Sequence, residues 1–272
     1  MMSRYQLGRR EPVGTPDLWL KDYVQTALPR WEAFLRRLLR QDVPKGLAPA
    51  PTAFGLERFY PISGWGMLAN DRLGDCVEAG SCHQVMAWTA SHAIHTLFTD
   101  YDAIALYSAI TGYTPSNPNS DQGTDMLTAA KYLCSTGFKD ATGRLHKAGA
   151  FLGLQAEDPA ELADGCYYFG TALIGVNLPS AWQDAFKPDG SGVWDVCDSP
   201  IEGGHCVVVV GRRANGNFVA VTWGSLVEIT PGAIEKYCDE AFVFLSQDFL
   251  NGQGKTVEGF DLAQLQADLK AL

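Results

Sequence analysis

Two short stretches of this 272-residue chain carry side chains suited to nucleophilic catalysis. In Asn70-Asp71-Arg72-Leu73-Gly74-Asp75-Cys76 a cysteine follows a glycine turn and opens a proline-free run of helical periodicity. Backbone N–H groups and the positive dipole end at such a position favour the thiolate, the reactive form of the side chain. The amide of Asn70, six residues upstream, could join the Cys76 N–H in donating to an oxyanion. Far downstream, Gly203-Gly204-His205-Cys206 leads a histidine into the apolar run Val207–Val210. A histidine at the mouth of a buried strand can face a cleft and take a thiol proton. Taken singly, a helix-opening cysteine also reads as a small buried hydrophobe and a lone histidine as a core residue. Together they point to Cys76 as nucleophile and His205 as base.

These residues need elements to hold them. Cys76–Ile94 has Ala79, Cys82, Met86 and Ala90 at helical spacing and reads as a buried helix. Tyr101–Ile110 and Asp125–Ser135 read as two more. Beyond Gly170 the pattern changes to short β-branched and aromatic runs bounded by Gly, Asn and Pro. Strands are therefore expected at Ala172–Leu178, Cys206–Gly211, Phe218–Trp223 and Ala241–Leu245, with a hairpin turn at Ala214-Asn215-Gly216-Asn217. Helices followed by strands is an α+β pattern, expected here as two lobes. Ahead of this body, Pro29–Arg40 has Trp31, Phe34, Leu35, Leu38 and Leu39 on one helical face, and residues 43–51 read as a Pro-rich linker. At the other end, Asp261 suits an N-cap, with Leu262, Leu265 and Leu269 forming the face of a docking helix. The expected division is a basic arm over 1–53, a body over 54–250 and a tail helix over 251–272.

In this order the motifs resemble the papain-like cysteine peptidases, over roughly Gly64 to Leu245. Asn70 takes the place of that family's oxyanion glutamine, and Gly74-Asp75 precede Cys76 as Gly-Ser do there. Asp121-Gln122-Gly123-Thr124 followed by a helix looks like the family's glycine-rich cleft segment. Gly170–Val176, Ser191–Trp194 and the His205 strand follow, and Trp223-Gly224 matches the pair that shields the histidine's partner. In closer detail the Asn-Asp-Arg-Leu-Gly-Asp-Cys start, the Gly-Gly-His strand, Val221-Thr222-Trp223-Gly224, Tyr237-Cys238-Asp239-Glu240-Ala241 and Gly259-Phe260-Asp261-Leu262 resemble uncharacterised papain-like proteins of tailed phages and prophages. The resemblance implies a helical lobe carrying Cys76 and an antiparallel β lobe carrying His205. It also implies a cleft lined by Gly123, Gly204, Cys206 and Trp223, and no cofactor or metal.

The chain departs from the family at the third catalytic position. Val221 stands where an asparagine orients the imidazole, and strand alternation would turn Thr222 to the opposite face. Asp195 and Asp198 are the candidate replacements. Asp75 would raise the Cys76 pKa if its carboxylate turned toward the sulfur. Only 75 residues precede Cys76, short for the inhibitory propeptide the family carries.

Charge and composition bound the partners. The net charge of −10 argues against nucleic acid, which requires a basic face. Residues 1–45 carry nine Lys/Arg against five Asp/Glu, while the remainder carries twelve against twenty-six. A basic arm on an acidic body is expected to lie on that body or on an acidic neighbour. Met1–Arg10 has no apolar core behind it, so no secretory signal is expected, and the apolar runs are too short to span a membrane. Seven cysteines without a C-x-x-C motif argue against a disulfide framework. His92 and His95 have metal-ligand spacing but no completing ligand nearby, while His83 and His146 read as structural. Two functions stay open. One is an enzyme acting on a protein or peptide through a covalent acyl-enzyme. The other is a papain-fold structural protein of a phage particle, binding virion proteins or itself through the arm, in the host cytoplasm or the virion.

Overall fold

The sequence pattern changes near Gly170, and the computed structural model, which describes residues 5–26, 49–61 and 64–249, divides there as well. A short helix α1 (Leu20–Thr26) and a two-residue strand β1 (Phe54–Gly55) come first. Three helices follow: α2 (Cys76–Ala90), α3 (Asp100–Thr111) and α4 (Met126–Ser135). A small ribbon of β2 (Phe138–Lys139) and β3 (Leu145–His146), then β4 (Ala148–Gly153) and α5 (Pro159–Phe169), lead into the second half. That half comprises β5 (Ala172–Pro179), α6 (Ser180–Ala185), β6 (Val193–Trp194), β7 (Ile201–Arg212), β8 (Phe218–Thr222), β9 (Ser225–Ile229), α7 (Pro231–Tyr237) and β10 (Cys238–Ser246).

Local chemistry explains the helix boundaries. All fifteen residues of α2 are buried: the helix is mostly small and apolar without a polar stripe, and its buried Glu78, His83 and Gln84 are each hydrogen-bonded. Thr99 and Asp102 form a reciprocal capping box on α3, which Gly112 ends in the left-handed region at φ 77°. Asp125 accepts from the Thr128 N–H to start α4, and Asp158 accepts from Ala160 and Glu161 ahead of α5, whose first residue is Pro159. The α2 helix is shorter than its periodicity suggests. It stops at Ala90, and a turn through Ala93 at φ 60° carries the chain away.

The main sheet runs β4-β10-β5-β7-β8-β9-β6, antiparallel except for the β6–β9 pair, with β1 added alongside β7. Its residues alternate between two cores. Leu173, Val208, Val221 and Phe244 pack toward α2, α3 and α4, whereas Ile174, Val207, Ala220 and Val243 pack toward α5, α6 and α7. Covering both faces is why β7 reads as an unbroken apolar run. The expected 214–217 turn closes with Gly216 N–H on the Arg213 carbonyl and Gly216 at φ 93°.

The described part of the N-terminal region lies on the body. Leu20 and Tyr23 of α1 enter the α5–α7 core. The amphipathic segment 29–40, most of the 43–51 linker and the tail helix lie outside the described residues.

Candidate active site

Cys76 is the first residue of α2, and the turn before it is held by a buried network. The Asp121 carboxylate accepts from the Gly74 N–H at 3.1 Å and from the Tyr107 hydroxyl at 2.7 Å. The same hydroxyl accepts from the Gly123 N–H at 2.8 Å. One carboxylate and one phenol therefore fix the Cys76 turn and the glycine-rich segment relative to each other. The backbone N–H of Cys206, the neighbour of His205, lies near the Cys76 sulfur and favours its thiolate. The Cys206 side chain turns instead into the core under α2.

His205 is fully buried on the opposite wall. Its Nε2 is 2.7 Å from the Thr222 hydroxyl, while Nδ1 has no hydrogen-bond partner. Thr222 was expected to face away, and the register explains the difference. Val208 pairs with Val221, so Thr222 lies across from Val207, on the face that His205 shares two residues earlier. Counting back two from Trp223 selects the wrong residue because Trp223 is not in the strand. Trp223 at φ 44° and Gly224 at φ 76° are the two central residues of a tight hairpin closed by the Thr222–Ser225 pair. Neither aspartate proposed for this role bonds His205. The Asp195 carboxylate accepts from Thr230 and from the Val196 N–H, and Asp198 is not engaged with the imidazole. Trp223 stacks on the imidazole at 4.6 Å between centroids, with Trp194 edge-on at 6.4 Å.

The cleft between these walls is filled by the chain's own N-terminal segment. Tyr5 stacks on the far face of Trp223 at 4.4 Å, and its N–H donates to Gln183 Oε1. Gly8 crosses beside Cys76, with its N–H near enough to the sulfur to favour the thiolate. Its carbonyl accepts from the Thr124 N–H at 2.8 Å, and the Arg10 N–H donates to the Thr124 carbonyl at 2.9 Å. On the sheet side the Arg9 N–H donates to the Gly204 carbonyl at 3.1 Å. The leader is thus a strand pinned to both walls. Three glycines make this approach feasible: a Cβ at Gly8 would strike the Gly74 carbonyl, one at Gly123 the Gly8 carbonyl, and one at Gly204 the Arg9 carbonyl.

The occupied cleft sets the electrostatics. Burial pushes the Cys76 thiol up to about 12, with Glu78 and Asp75 adding to it and the Cys206 and Gly8 N–H groups pulling against it. Burial and the nearby Arg9 charge push His205 down to about 3. Near neutral pH Cys76 is a thiol and His205 a neutral imidazole, and no hydrogen bond joins them. Asp75 is itself buried and pushed up to about 8, chiefly by desolvation. Asn70, expected as the oxyanion donor, has its amide turned inward, to the Leu73 carbonyl at 3.2 Å and the Asp75 carboxyl at 3.3 Å. In this conformation both amide hydrogens are engaged, so Asn70 is not poised toward an oxyanion.

The docking of the leader and the bonds made by Thr222, Tyr107 and Asp121 leave no mark in the sequence. A short segment without periodicity carries no signal for where it docks, and a phenol 14 residues ahead of Asp121 none for its partner. Other histidines bond locally. His83 Nε2 meets the carbonyls of Trp65 and Gly66, and His92 Nε2 meets that of Phe249. His146 lies between Asp248 at 2.8 Å and Asp140 at 3.2 Å. All seven cysteines are free.

No protein-family model and no curated protein matches the sequence. Solved structures do match. Xylellain, a cysteine protease from Xylella fastidiosa, aligns with TM-score 0.60 over 89% of this chain and 97% of its own, at 12% identity. The ragweed Amb a 11 cysteine protease in its proform aligns with TM-score 0.55 over 79% and 74%, at 15% identity. Trypanosoma congolense proCathepsin B S9 gives TM-score 0.53 over 89% and 86%, at 12% identity. The chain has the papain-like α+β fold, with a helical lobe and an antiparallel sheet.

Proposed function

We propose that this protein is a papain-like cysteine hydrolase acting on peptide or related acyl bonds, held closed by its own leader. The observation that carries the reading is a peptide strand beside Cys76, hydrogen-bonded to Thr124 on one edge and to Gly204 on the other. A groove that pairs with both edges of an extended backbone beside a thiol is built to take peptide.

Once the leader withdraws, the desolvation and the Arg9 charge acting on His205 both fall, and its pKa moves toward the ordinary value. His205 Nδ1 then takes the thiol proton while Thr222 holds Nε2. The thiolate attacks the carbonyl carbon, forming an S–C bond and an oxyanion near the first turn of α2. Collapse of that intermediate breaks the bond to the leaving group, which takes the proton from His205 and leaves a thioester. Water, deprotonated by His205, hydrolyses the thioester and restores the thiol.

A second reading is a papain-fold structural or interaction protein of a tailed phage particle. The neutral Cys–His pair, the engaged Asn70 amide and the filled cleft favour it. The two separate by intact mass of the full-length Gly8→Ala protein, in which the added methyl clashes with the Gly74 carbonyl and displaces the leader. With a thiobenzyl ester of an acylated peptide, the hydrolase reading expects a thioester adduct on Cys76 that Cys76→Ala abolishes. It also expects turnover that His205→Ala abolishes. A folded Gly8→Ala protein that forms no adduct supports the structural reading.

A further inference from the structure

The Arg9 side chain leaves the leader strand for a deep pocket, where it is wholly inaccessible to solvent. Its Nη2 donates to Asp239 at 2.9 Å and approaches Asn177 Oδ1 at 3.4 Å, while Nη1 lies 3.8 Å from Glu240. The space comes from Gly175 on β5, where a Cβ would lie 2.6 Å from Arg9 Cδ and 2.9 Å from Met126 Sδ. The pocket is therefore shaped for an unbranched stem ending at two carboxylates. Burial, the nearby Asp125 charge and Asp239 hold Glu240 up to about 7, against the pull of Arg9. A buried carboxylate, Glu240, beside a partly exposed one, Asp239, calls for a cation, and a planar fork suits a carboxylate pair better than an ammonium does.

The fit of the leader is incomplete. Arg9 Nε and Nη1 have no hydrogen-bond partner, nor do Asp239 Oδ1 and both Glu240 oxygens. Bonding capacity on both sides of the pocket goes unused. A guanidinium free of the leader's backbone tethers can settle deeper against the same acids. We propose that the Arg9 pocket is a guanidinium-selective substrate subsite, so that the peptides taken by this cleft carry an arginine one residue from the attacked carbonyl. The position follows from the leader, in which Gly8 lies over the sulfur and Arg9 is its neighbour. This rests on the hydrolase reading above.

The test uses the full-length chain carrying Arg9→Ala, whose pocket lacks its own occupant. Fluorescein-labelled Leu-Gly-Arg-Arg-Glu-Pro and the same peptide with citrulline for its first arginine are titrated by polarisation. Citrulline keeps the length and removes the charge. The arginine peptide is expected to bind about tenfold more tightly or better, as charge-assisted hydrogen bonds imply. Adding Asp239→Asn and Glu240→Gln should abolish that preference. Equal affinities, or no binding of either peptide by a folded chain, overturn the proposal. Arg9→Met keeps the packed stem and replaces Arg9→Ala if the latter does not fold. A second arm follows acylation of Cys76 by N-acetyl-Arg-Gly thiobenzyl ester and its citrulline counterpart. Selective binding without acylation would keep the subsite and remove the hydrolase, whereas acylation without an arginine preference would do the reverse.

Discussion

Thr222 reaches His205 because the β7–β8 register puts the two on one face, and its hydroxyl bonds the ring where Val221 has no polar atom to offer. A lost hydrogen bond of about 1 kcal/mol corresponds to roughly a fivefold effect on a step that needs the ring held. In the Gly8→Ala background, Thr222→Val should slow formation of the Cys76 thioester by about that factor, and Thr222→Ser should restore it. Equal rates in all three would remove Thr222 from the site. The same histidine gives a pH dependence. Folded His205 stays neutral down to about pH 3, whereas the unfolded chain protonates it near its ordinary value of 6.5. Between those values unfolding takes up a proton, so stability falls as pH falls, by at most about 1.4 kcal/mol per pH unit from this group. His83, pushed down to about 4 by burial, acts in the same direction. Urea midpoints measured from pH 7 to 4 should therefore decline less steeply in His205→Gln than in the parent chain. Parallel slopes would show that His205 is not buried neutral.

At the scale of elements, the leader strand and the β2–β3 ribbon are each held by a few identifiable bonds. Gly8→Ala should expose the Arg9–Arg10 region, so trypsin ought to cut there in minutes while the parent chain resists. Equal resistance would mean that the strand tolerates the methyl group. The ribbon is fastened by His146, which bonds Asp248 and Asp140 through its two ring nitrogens. Burial works against its charge, but the two carboxylates outweigh burial and raise its pKa. That stabilisation is complete below the ordinary value near 6.5 and is lost as pH rises through the raised one. Asp248→Asn removes a charge from this buried set and should cost about 3 kcal/mol at pH 6, read from the urea midpoint. The cost should shrink at alkaline pH. A pH-independent loss would point to packing alone.

For the whole molecule, the α+β class and the two lobes follow from a pattern that the residues display. The period changes near Gly170, α2 has no polar stripe, and the Val207–Val210 run suits a strand covered on both faces. Cys76 and His205 stood out because their neighbours in sequence, a glycine turn and a glycine pair, also fix their local geometry. What escaped depended on distant parts of the chain. The partner of His205 hinged on a one-residue difference in where β8 ends, and Asn70 was read from spacing alone although Leu73 and Asp75 engage it. A basic arm is expected to lie on the acidic body or on an acidic neighbour, yet nothing in its composition marks Gly8 and Arg9 as the residues that enter the cleft. The cleft glycines that admit them show their purpose only when both strands are in place. The central claim is that Cys76 is a nucleophile closed by this chain's own leader. Its most direct test is the rate of Cys76 carbamidomethylation by iodoacetamide at pH 6, followed by peptide mass spectrometry in the parent chain and in Gly8→Ala. The expected result is slow modification in the parent and at least about tenfold faster modification of Cys76 in the variant, lost with His205→Ala. Equal Cys76 rates in the two proteins, or a rise shared by all the buried cysteines, would contradict it.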